Sequence, residues 1–190
     1  MPAQVGPIAT EQEGLLGFLT QMRYVVRLTA HGLTEEQLRA TPAASELSVG
    51  GLIKHCASTE ENWLSTIRRE PQVIDYAKYG ADFRLADGET IEDIFARYDR
   101  VAVETEKTIA EIGDLSFAIA IDHSVPWNRK DMDHWTIRWI LLHLIQETAR
   151  HAGHADIIRE TIDGATAFPL IAAAEGWPET EWLKPWQPPA

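Results

Sequence analysis

The apolar positions along this chain fall into four long stretches of helical period, separated by polar breaks marked with glycine or proline. From Glu11 to His31, Leu15, Leu16, Leu19, Met22, Val25, Val26 and Thr29 recur at three- and four-residue steps, with Thr10 placed to cap the start and Gly32 to stop the end. Leu33 to Leu38 predicts a turn and a short helical piece capped by Thr34, and Thr41-Pro42-Ala43-Ala44 a linker. Ser48 opens a second long helix that runs to about Arg69, ahead of Pro71, with Leu52, His55, Cys56, Thr59 and Trp63 as its inward stripe. Thr90, with Asp93 three residues on, opens a third that Gly113 closes; Ile94, Tyr98, Val101, Thr105 and Ile109 lie on its apolar face. A fourth is predicted from about Met132 to Ile162, with Trp135, Trp139 and Leu142 continuing its apolar face and Gly164 and Pro169 marking its end.

Between these stretches the pattern is irregular. Tyr76 to Glu89, with Tyr76, Tyr79 and Phe83 among its residues, is long for a connection; it fits either a segment lining a site or a surface excursion held down by its aromatics. Gly50 and Gly51 sit where glycine weakens a helix, which fits either fraying or a close approach by backbone or ligand. The alternation Phe117, Ile119, Ile121 predicts a short extended piece within Asp114 to Arg129, and His123 there has no partner by spacing. The tail from Glu175 is rich in proline, which excludes helix, yet its tryptophans at Trp177, Trp182 and Trp186 predict packing on the body. Four helices with these links predict an all-α four-helix bundle forming one domain over residues 1–190.

Composition narrows the function classes. A formal net charge of −12 with no cluster of Lys and Arg argues against nucleic acid as a partner. No apolar run approaches the ~18 residues of a membrane span, and the first residues lack the basic and apolar segments of a signal peptide. A cytoplasmic protein is expected, in agreement with its single cysteine, Cys56.

The chemistry is concentrated in the last long helix. His143, Glu147, His151 and His154 are spaced four, four and three apart and share an arc of roughly 80° at about 100° per residue. Several polar groups buried on one apolar helix cost free energy unless something satisfies them, and imidazole and carboxylate are ligands for zinc and other divalent metals. His143 lies two turns before His151, on the order of 12 Å along the axis, so the two do not share an ion; a supporting role suits it better. His55 stands on the inward stripe of a different helix and completes a set that two facing helices can bring together. Cys56 is a candidate ligand or reactive thiol, but a small buried core cysteine is the better reading.

The stretch Leu52-Ile53-Lys54-His55 with Glu60 and Trp63, the stretch Glu147-Thr148-Ala149-Arg150-His151-Ala152-Gly153-His154-Ala155-Asp156 with Arg159-Glu160 and Asp163-Gly164, and the tail residues Glu175-Gly176-Trp177 and Pro185-Trp186 resemble the DinB-like superfamily of metal-binding four-helix bundles. The resemblance covers nearly the whole chain and is greatest to the actinobacterial branch that includes the mycothiol S-transferases. It implies a divalent metal, zinc foremost, held by one histidine of the second long helix and two groups four apart on the last. Those positions fall on His55, Glu147 and His151, with His154 the alternative third ligand to Glu147.

The resemblance further implies a low-molecular-weight thiol, mycothiol foremost, as co-substrate for conjugation to electrophilic small molecules, by a monomer or homodimer. Glu147, where not a ligand, is the candidate base, and Arg150 a candidate substrate contact that also fits a solvated arginine. Two other classes fit the same residues: a metal-dependent hydrolase or isomerase using metal-bound water, and a non-catalytic bundle whose metal is structural and closed by four protein ligands.

Overall fold

Every long helix begins at a hydroxyl that accepts a hydrogen bond from the first turn, and this sets the frame that carries the site. In the computed structural model, which describes residues 4–70 and 80–188, Thr10 and Glu13 form a reciprocal capping box at the start of α1 (Glu11–Leu28). Thr34 with Gln37 does the same for α2 (Glu35–Arg39). Ser48 caps α3 (Val49–Ile67) through the Gly51 amide. Thr90 and Asp93 box the start of α4 (Ile91–Ile112), and Thr136 caps α5 (Ile137–Asp163) through the Trp139 amide. Each cap contributes about 1 kcal/mol. Tyr76, Tyr79 and the expected stop at Pro71 lie outside the described residues, as do Met1–Ala3 and Pro189–Ala190.

The architecture is the expected all-α bundle: α1 lies along α5, and α3 packs against both α4 and α5. The last long helix starts later than its apolar pattern predicts, at Ile137. The residues ahead of it are extended instead, because β1 (Ala118–Ala120) pairs antiparallel with β2 (His134–Thr136) and sets Ile119 opposite Trp135, both buried. The alternation around Ile119 is therefore a strand, and Trp135 belongs to β2, from which it stacks on Trp139 at the head of α5.

A further helix, α6 (Ala167–Glu175), follows Gly164, where Pro169 predicts only a stop. Proline is tolerated there because the first-turn amides of a helix have no intrahelical acceptor to lose. Trp177 and Trp186 of the tail pack with Leu28, Ala165, Leu170 and Ile171, while Trp182 is 77% exposed and does not share in that packing.

α3 is the most enclosed of the helices and is buried on more than the predicted stripe: Lys54, Ser58 and Glu60 are inside as well. Glu60 is satisfied by a two-point ion pair with Arg23 of α1 at 2.6 and 3.0 Å, and Arg23 also reaches Glu106 of α4 at 2.7 Å. Charges this deep persist only when paired.

The segment ahead of α4 lies on α3. Gly80, at φ +85°, starts a 3-10 turn over Ala81–Phe83. The Phe83 carbonyl sits so close to Gly51 that a Cβ there would stand 1.8 Å from its oxygen. Lys54 Nζ donates to the Arg84 carbonyl at 3.1 Å and pairs with Glu89 at 2.7 Å. Arg39 of α2 donates to the Leu85, Ala86 and Glu89 carbonyls. The paired glycines thus serve a close backbone approach.

Candidate metal centre

Because α3 and α5 face each other, their inward positions bring His55, Glu147 and His151 together. Glu147 Oε1 lies 3.4 Å from His55 Nε2 and 3.1 Å from His151 Nε2, and one potential ligand atom from each residue lies within 4.8 Å of the other two. A tetrahedral ion with ligand distances of ~2.1 Å separates its ligands by about 3.4 Å, so the donor set suits a zinc-like divalent cation. The imidazole centres of His55 and His151 are 4.7 Å apart, inside the ~6 Å that a shared ion demands.

His151 is buried, and His55 and Glu147 are half-buried. Hydrogen bonding to His151, then to His55, holds the Glu147 carboxyl well below the usual carboxylate range. The group is a carboxylate across the neutral range, as a ligand must be. Thr59, one turn after His55, stands 3.4 Å from its Nε2.

The other predicted site residues are placed differently. His154 is not in the three-donor cluster: its ring centre is 5.5 Å from that of His151, and its Nδ1 is buried with no hydrogen-bond partner among the described residues. Arg150 is exposed. His143 stacks on Trp139 at 5.1 Å and meets the edge of Trp63 at 5.3 Å, and burial pushes its pKa down although the Glu147 charge opposes. Cys56 is a core residue, 2% exposed, whose thiol is pushed up to about 12 by burial and then by the Glu147 and Glu60 charges; it is no nucleophile at neutral pH.

One contact was not legible from spacing. The Phe83 ring stacks face to face on His55, with centres 3.8 Å apart and planes 17° apart, and its edge meets His151 at 5.7 Å. The only signal in the sequence was an aromatic in a long connection, together with two glycines on the helix opposite.

A helical bundle with inward donors on two facing helices is the arrangement expected of the DinB-like class of metal-site proteins. Within that class, the family described as Mycothiol-S-transferase matches residues 14–164, and the chain belongs to it. That match takes in His55, Glu147 and His151 and stops before α6. A search of curated proteins finds no match. Among the described residues no helix is long and apolar enough to cross a membrane.

Proposed function

We propose that the protein is a cytoplasmic, metal-dependent S-transferase that joins a low-molecular-weight thiol, mycothiol, to electrophilic small molecules, with His55, Glu147 and His151 as the metal ligands. The observation that carries this reading is the three-donor cluster, lying within the span of a thiol-transferase family match. Three protein ligands leave a divalent ion a position for an exogenous one, whereas a structural site is normally closed by four. A zinc ion held there would bind a thiol as its thiolate, the competent nucleophile.

The chain's own residues supply the rest. Glu147 carries a negative charge between two imidazoles and would partly balance a bound dication. Trp63 of α3, with Trp139 and His143 of α5, the last of them one turn before Glu147, offer an aromatic surface for an apolar electrophile. Cys56, protonated and enclosed, does not compete as a nucleophile. In the overall transfer the thiol proton passes to solvent, an S–C bond forms, and the leaving group departs with its electron pair.

Elemental analysis of the purified protein, then conjugation assays with and without mycothiol, test the reading. One bound divalent ion per chain and thiol-dependent loss of the electrophile are expected. Turnover that is equal with thiol omitted would move the protein to the hydrolase class.

A further inference from the structure

Metal-binding histidines generally donate their second ring nitrogen to a carboxylate or carbonyl, which fixes the plane of the ring. His151 lacks that support: its Nδ1 is buried and has no hydrogen-bond partner among the described residues. Ring contacts surround both imidazoles instead. Phe83 lies flat on His55 at 3.8 Å and edge-on to His151 at 5.7 Å, and the two imidazoles meet edge to face at 4.7 Å. Stacking engages the face of an imidazole and leaves its ring nitrogens open in the ring plane, and His55 Nε2 lies 3.4 Å from Glu147 Oε1.

Phe83 is itself held from several directions. Its carbonyl is seated on Gly51, where no side chain can fit. The next residues are tied to α3 by Lys54 through the Arg84 carbonyl and Glu89, and to α2 by Arg39 through three carbonyls. A connection anchored by two buried or half-buried cations is built to place something, and the group it places is the Phe83 ring.

We propose that Phe83 is the positioning residue of the His55/Glu147/His151 site, fixing the plane of the His55 ring by stacking and bracing His151, whose Nδ1 has no acceptor among the described residues, at its edge. The inference rests on the metal reading above and adds the residue that orders the ligands before an ion arrives. Two consequences follow. Aromatic character at position 83 matters beyond its bulk, and a side chain at position 51 acts like damage to position 83, because both displace the same ring.

The test is Zn²⁺ affinity by chelator competition, with the visible spectrum of the Co²⁺ form as a second readout, on wild type, Phe83→Leu, Phe83→Tyr and Gly51→Ala. Circular dichroism checks the fold of each. Phe83→Leu, which retains apolar bulk, and Gly51→Ala should each weaken binding roughly 10–100-fold, as loss of outer support does at other metal sites. Both should alter the Co²⁺ spectrum, and Phe83→Tyr should restore affinity and spectrum towards wild type. Wild-type affinity and spectrum in Phe83→Leu would overturn the proposal, as would a Tyr variant no better than Leu. A wild-type protein that takes up neither ion would overturn the metal reading and this inference with it.

Discussion

The guanidinium of Arg159 lies 4.7 Å from the ring centre of Trp186, so a fully buried cation on α5 is roofed by an aromatic from the far end of the chain. Arg159 is bound on its other sides by Asp163, one turn on, and by the Thr29 and His31 carbonyls just beyond α1. One side chain therefore joins α5, the end of α1 and the tail.

Replacing this arginine should cost much of the fold's stability. Arg159→Met leaves the Asp163 carboxylate, 1% exposed, without its cation and two carbonyls without donors. Breaking a buried pair from one side costs about 3–5 kcal/mol. Urea denaturation should show that loss, and Trp186 should become more solvent-exposed by fluorescence quenching.

Gly32→Ala should act on the same seat without touching a charge. Gly32 has φ +72°, and a Cβ there would stand 2.5 Å from the Trp186 ring. The backbone penalty alone is about 1–2 kcal/mol. The variant should lose at least that much stability, and limited proteolysis should cut its tail sooner than in wild type.

Cys56 should govern part of the alkaline limb of stability. Burial raises its thiol from the usual range near 9.0 up to about 12, so the native state holds the proton where the unfolded chain has released it. This contribution is complete below pH 9 and is lost as pH rises towards 12, at no more than about 1.4 kcal/mol per pH unit. Cys56→Ala should flatten the fall in stability above pH 9, as measured by denaturation at a series of pH values.

Removing a ligand should separate metal binding from folding. His151→Ala should forfeit roughly 3 kcal/mol or more of Zn²⁺ binding, a loss on the order of 100-fold, while circular dichroism remains helical. Conjugation should fall with the metal. Loss of metal with full retention of conjugation would sink the proposed mechanism.

What could be read beforehand was what depends on nearest neighbours along the chain. Thr10, Thr34, Ser48 and Thr90 cap where their spacing to the following apolar stripe says they should, since a cap needs only the next three residues. The convergence of His55 with Glu147 and His151 was legible because each stands at an inward position of its own helix. The start of α5 was not, because Trp135 and Thr136 are drawn into β2 by a strand that ends some fourteen residues earlier, and pairing overrides local period. Pro169 misled because its effect depends on position: it would break a helix interior but sits in a first turn. The pairing of Arg23 with Glu60 emerges only when α1 and α3 are placed side by side.

His55 and Glu147 are 92 residues apart along the chain. An ion held between them is a removable cross-link across about half the polypeptide, and it has no partner in the disordered chain, where no such set of donors is assembled. Contacts of that sequence separation form late in folding, because the chain must first close the loop. Zn²⁺ should therefore leave the refolding rate nearly unchanged and slow unfolding, so that the lifetime of the native protein, more than the speed of reaching it, tracks the free ion concentration. Stopped-flow unfolding across a zinc titration would read this directly.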